Sequence, residues 1–329
     1  MALEMRIICL WNWLAIAVVF QVFLDPQPVA AQVGVAAVPP SDFDLKTSLR
    51  GPLQQSLEAA YPDSYDSGIE VFWEPHDGWI SQEVLDWWAL RVTDDDFEGV
   101  NREAAERMLW RISADFPVFE RPHRRRRCAV VGASRNLLGS RYGELIDAHD
   151  AIIRVNRAPT EKFLTDVGED TTHHVMWPRE LGEWEYDRRA FLLMTPITVD
   201  NPDVFDRIIT LAEKDLGWDL ERVRIIHPEF VNYVHQRWTG DRGGYPSTGF
   251  IALMIALHVC DEVDVFGFGA DAQGRWDRYY EEYPEDARNF HPVDFEGQLR
   301  REMEEKGILK VFRGSRPDPI YRTDAPPRD

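Results

Sequence analysis

Short apolar runs alternate with longer helical stretches along the C-terminal two-thirds of the chain. The runs Cys128–Val131, Ala151–Val155, His174–Trp177, Phe191–Met194, Arg224–Ile226, Val263–Phe268 and Ile308–Phe312 predict strands. Helices are predicted over Val204–Lys214, Phe230–Trp238, Ser247–Cys260 and Val293–Lys306. Apolar strands separated by helices indicate an α/β domain with a mainly parallel sheet flanked by helices. Ahead of it, Trp73, Trp79, Trp87, Trp88 and Trp110 lie in a segment of helical spacing. They read as core residues before they read as sugar-stacking ones. Asp94-Asp95-Asp96 follows Thr93 in a loop before a helix, where capping and solvation explain it better than metal binding.

The N-terminal pattern is different. Ile7–Leu24 is apolar apart from Asn12 and Gln21, long enough to cross a bilayer as a helix, with Arg6 its one positive flank. It exceeds a signal-peptide core of about 7–15 residues, so an uncleaved anchor is expected. Val29-Ala30-Ala31 resembles a cleavage site, which leaves a secreted form as the alternative. Residues 25–65 are rich in Pro, Gln, Ser and Ala and read as a stem. The expected organisation is a tail over 1–6, an anchor over 7–24, a stem over 25–65, a folded lumenal domain over 66–317 and a C-terminal tail over 318–329.

Composition narrows the function. The 37 Lys+Arg against 57 Asp+Glu give a net charge of −20, which argues against nucleic-acid partners because phosphate contacts need a basic face. Three cysteines, Cys9, Cys128 and Cys260, exclude a disulfide-dense mini-domain and offer no Cys/His metal spacing. Either targeted reading puts the body in an oxidising lumen, where pairing of Cys128 with Cys260 is reasonable. The chain carries no Asn-x-Ser/Thr sequon.

Three segments carry chemistry. Cys128–Val131 runs into Gly132-Ala133-Ser134, a strand-to-turn pattern suited to a nucleotide, although a packing turn accounts for the same residues. Tyr245-Pro246-Ser247-Thr248-Gly249 opens an apolar helix whose free amides can hold a phosphate; capping alone explains Ser247. His291-Pro292 precedes Val293-Asp294-Phe295-Glu296, leaving His291 outside the helix and able to face a cleft as a base. A structural histidine is the plainer reading of that residue taken alone.

In order and spacing these segments resemble the animal-type sialyltransferases, the CMP-sialic-acid-dependent glycosyltransferases of family 29. The long motif corresponds to Cys128 through Glu180, with Arg154-Val155-Asn156, Ala158-Pro159-Thr160 and Thr171-Thr172-His173-His174. The short motif corresponds to His227 through Val263, the third to Arg278-Tyr279-Tyr280-Glu281, and the very short motif to His291 through Glu296. The wording around Thr171–Met176 and Tyr245–Gly249 is most similar to the branch forming α2,3 linkages to β-galactosides. The resemblance implies a Rossmann-like, GT-A-like nucleotide-sugar transferase fold and a type II Golgi membrane protein with a lumenal catalytic domain. It implies a Cys128–Cys260 disulfide, nucleotide contacts from Ser134, Asn156, Ser247, Thr248 and Gly249, and Tyr233 and Tyr245 near the donor phosphate. It also implies His291 as general base, a galactose-terminated acceptor glycan, and neither metal nor cofactor beside the CMP-sialic acid donor.

Two departures stand out. Ala133 replaces a usual Asn and supplies neither donor nor acceptor. Arg278 replaces a usual His; it can grip a phosphate within the catalytic site but cannot protonate it. Arg135, in place of a usual Gly, is a candidate for the missing donor contact. These changes motivate two alternatives: a CMP-Kdo-type or other 2-keto-sugar transferase, and an inactive relative that binds glycans or nucleotides.

Overall fold

Short segments, most of them rich in aliphatic residues, form seven strands: β1 (Arg127–Val131), β2 (Ala151–Val155), β3 (His173–Met176), β4 (Phe191–Met194), β5 (Val223–Ile225), β6 (Glu262–Phe266) and β7 (Lys310–Phe312). The computed structural model describes residues 51–74, 80–91, 109, 125–181, 187, 189–196, 209–271, 274–282 and 290–314. All seven strands pair in parallel in the order β5-β4-β3-β2-β1-β6-β7. Parallel strands covered on both faces are mostly apolar, and β2 is buried at every position, Arg154 included. The strand order reverses between β1 and β6. In open α/β sheets the crevice beyond the carboxyl ends at such a switch is where ligands bind.

The helices that concern the site are α1 (Pro52–Ala60), α2 (Gln82–Ala89), α3 (Gly143–Asp147), α4 (Leu164–Val167), α5 (Pro228–Tyr233), α6 (Thr248–Val259) and α7 (Val293–Glu305). Helix α6 is apolar on all sides, and every residue from Phe250 to Leu257 is buried. It lies against β1, β2, β3 and β6. Just past its last turn, Cys260 is bonded to Cys128 on β1 with Cα atoms 6.2 Å apart. Closing a loop across 132 positions contributes about 5 kcal/mol in the chain-entropy model.

The strands fall within about two residues of their expected places, and α6 and α7 keep their expected bounds to within a residue or two. The stem is a correction. Residues 52–60, assigned to it by composition, form α1 and join the folded body: Leu53 and Leu57 are buried, and Gln54 Nε2 donates to Leu257 O (3.2 Å) and Cys260 O (2.7 Å). Trp73, Trp87 and Trp88 are core residues. Trp79, Trp110, Asp94–Asp96, the anchor 7–24 and both expected tails lie outside the described residues. No helix among the described residues is long and apolar enough to cross a membrane.

Candidate active site

The strand ends build an open cleft over the β1/β6 switch point. Beyond β1, Gly132 has no room for a side chain, since a Cβ would meet the Gly267 carbonyl and the Phe268 ring. Gly132 N donates to Phe266 O (2.8 Å) and Ser134 N to Gly267 O (2.9 Å). The segment 277–279 lies along this loop, with Arg135 N donating to Asp277 O and Tyr279 N to Ala133 O, both at 2.9 Å. Ser134 lines the cleft while its hydroxyl donates to Gly269 O (2.6 Å). Arg135, the candidate for the contact that Ala133 lacks, turns its guanidinium to Asp277 at 3.6 Å.

Beyond β2, Asn156 takes a left-handed conformation (φ 52°) that turns its side chain into the cleft. Three of its groups are already engaged. Its N–H donates to Val175 O, its carbonyl accepts from His174 Nε2, and its Oδ1 accepts from Trp177 N. The Nδ2 amide remains as its donor to a ligand. Burial pushes His174 down to about 4, so the ring is neutral and its contact with Asn156 is that of a plain N–H donor.

Ser247 caps α6, its Oγ accepting from Phe250 N (3.1 Å). Its own amide and hydroxyl donate to Glu296 on α7, at 2.7 and 2.6 Å. Ser247 therefore fixes the helix end, while Thr248 and Gly249 open the first turn whose amides lack intrahelical partners. Glu296 is a site residue that was legible in the motif but without a role. Burial pushes its carboxyl up to about 7, against the two Ser247 hydrogen bonds and the positive Arg300. Arg300, Trp276 and Phe268 also line the cleft and were missed, because only the tertiary fold brings them there.

His291 also lines the cleft. Its Nδ1 lies 3.0 Å from Tyr245 O, and a carbonyl only accepts, so Nδ1 carries the proton and Nε2 the lone pair. Burial lowers its pKa, outweighing the upward pull of the Tyr245 hydrogen bond. Tyr245 thus serves through its carbonyl, and its ring packs edge-on to Phe290 and His291.

Arg278 also reaches the cleft. Its guanidinium donates to Glu281 (2.6 Å) and lies 3.5 Å from Glu180, while Arg157 pairs with the same two carboxylates at 3.3 and 3.2 Å. This ring of four charges joins the loops after β2 and β3 to the 278–281 segment, and it holds Arg278 against the cleft.

Tyr233 is the residue that the fold takes elsewhere. It lies beside His258, near the far end of α6 and about 16 Å along the axis from Ser247 at 1.5 Å per residue. Its hydroxyl accepts from Trp238 Nε1 (2.9 Å) and Asp66 N (3.1 Å) and is absent from the cleft. The hydroxyl is bonded inside the core, so Tyr233 has no group to offer a phosphate. Among the described residues no three His, Cys, Asp or Glu side chains form a metal-ligand cluster.

The open helix N-terminus, the turned asparagine and the half-buried histidine meet in one switch-point cleft, an arrangement suited to a nucleotide-dependent transferase. The chain belongs to glycosyltransferase family 29 (sialyltransferase), whose sequence model matches residues 80–308, and is a sialyltransferase. It is 35% identical over 268 residues to the CMP-N-acetylneuraminate-beta-galactosamide-alpha-2,3-sialyltransferase 2 of Rattus norvegicus, covering 78% of this chain and 76% of that protein. It is 32% identical over 279 residues to the corresponding sialyltransferase 1 of Homo sapiens, covering 79% and 80%. A crystal structure of a mammalian sialyltransferase in complex with Gal-beta-1-3GalNAc-ortho-nitrophenol superposes with a TM-score of 0.68 at 30% identity, covering 79% of this chain and 96% of the other. The Rossmann-like transferase fold expected from the motifs is the fold observed.

Proposed function

We propose that this chain moves sialic acid from CMP-sialic acid to a galactose hydroxyl of a glycan, on glycoprotein or glycolipid, forming an α2,3 linkage without metal or cofactor. The observation that carries this reading is the His291–Tyr245 pair: Nδ1 is tied to a carbonyl, so Nε2 is the basic nitrogen of a residue lining the cleft. In this reading the acceptor oxygen attacks the anomeric carbon as its proton passes to Nε2. The bond to CMP breaks with its electron pair leaving on the phosphate, and single displacement inverts the anomeric centre. Charge developing on the phosphate is favoured beside the Thr248–Gly249 amides and the fixed Arg278 guanidinium. The α2,3 galactoside assignment draws on the printed names of the relatives. The Cys128–Cys260 bond supports an oxidising compartment, which we assign as the Golgi lumen.

The test is transfer from CMP-sialic acid to a β-galactoside in the presence of a chelator. Sialylated product is expected, with transfer falling roughly 10²–10⁴-fold in His291→Ala. Product that needs an added divalent ion overturns metal independence. Transfer of Kdo without transfer of sialic acid reassigns the donor. A His291→Ala enzyme of undiminished rate removes the base.

A further inference from the structure

Phe290 is one of four large hydrophobic residues exposed among the described residues, at 39%, and it directly precedes His291. Its ring is not loose. It covers Gly244 so closely that a Cβ there would run into the ring, and Gly244 N donates to Phe290 O at 2.8 Å. Gly243, at φ 67°, leaves the space that Phe290 O and Pro292 occupy. The ring meets Tyr245 edge-on at 4.9 Å and His291 at 5.5 Å. From the other side, Arg91 Nε donates to Gly244 O (2.9 Å), while the same guanidinium lies 4.4 Å over the Trp87 ring on α2.

An exposed aromatic face is thus held rigid next to the base, beside the cleft that His291 lines. Water is a poor partner for that face, whereas the C–H side of a pyranose ring covers apolar area and keeps its hydroxyls outward. We infer that Phe290 is the acceptor platform: the apolar face of the galactoside ring lies on it and brings the reacting hydroxyl to His291. This rests on the galactoside-transfer reading above. It adds a specificity-determining residue outside the matched motifs, with Gly244 and Arg91 as its positioning residues.

The experiment measures transfer to Gal-beta-1-3GalNAc-ortho-nitrophenol with donor and acceptor varied separately. Phe290→Ala is expected to raise acceptor KM about tenfold, the size of one lost apolar anchor, with donor KM and kcat within about twofold. Phe290→Trp restores the acceptor KM. Gly244→Ala, which displaces the ring without removing it, and Arg91→Ala, which frees the loop beneath it, produce the same acceptor-selective rise; they carry the test if Phe290→Ala fails to fold. An unchanged acceptor KM in the folded variants overturns the platform, as does an equal rise in donor KM. Absence of transfer by the unaltered enzyme is a different result, and it removes the galactoside reading itself.

Discussion

Helix α6 has a histidine and a tyrosine at each end, and the two pairs have opposite fates. At the Ser247 end, His291 holds Tyr245 O through Nδ1 and lines the cleft with the rest of its ring. At the far end, His258 Nδ1 lies 2.7 Å from Met254 O, and its Nε2 is covered by the Tyr233 hydroxyl at 3.3 Å. Burial lowers both histidines, His258 to about 4. A lowered pKa is therefore no mark of a catalytic base. What separates the two is whether the second nitrogen meets a cavity or a protein hydroxyl.

Breaking the open end should affect chemistry. Arg278→Ala removes the cation that Glu281 and Glu180 hold against the cleft, and donor KM should rise by roughly tenfold to a hundredfold while acceptor KM stays put. A matched rise in acceptor KM would show that the charge ring merely supports the fold. Breaking the sealed end should affect stability alone. Tyr233→Phe strands the Trp238 and Asp66 N–H groups and should cost about 1–3 kcal/mol by denaturant titration, with kcat/KM unchanged below the transition. The smallest effect concerns pH. His291 must be neutral to accept a proton, and its folded pKa lies below the ordinary 6.5. The acid limb of kcat/KM should therefore fall below pH 6.5, with activity lost as pH drops through that lowered value. A midpoint above 6.5 assigns the limb to another group, for which Glu296, raised to about 7, is the candidate.

The sheet was legible because parallel strands buried on both faces are continuous apolar runs, and β2 and β4 match their expected bounds. Helix α6 was legible because Ser247 caps an unbroken apolar stretch. Helix α1 was hidden: two leucines four apart in a Pro- and Gln-rich segment give little periodicity, and the hydrogen bonds of Gln54 reach more than 200 positions along the chain. The Arg157–Glu180–Arg278–Glu281 ring was equally hidden, since its members are scattered over 125 positions and meet only through strand order. Tyr233 was misplaced because motif position carries no information about which end of a helix a neighbouring side chain meets.

The covalent tie between β1 and the end of α6 also sets a timetable. β1 is an interior strand, paired with β2 on one side and β6 on the other, yet Cys260 and β6 leave the ribosome more than 130 residues after Cys128. At about 5–20 residues per second β1 waits roughly 7–26 s for that second neighbour. During that interval the free Cys128 thiol sits on an unpaired apolar edge. The newborn chain must be shielded from wrong partners before it can acquire any catalytic competence.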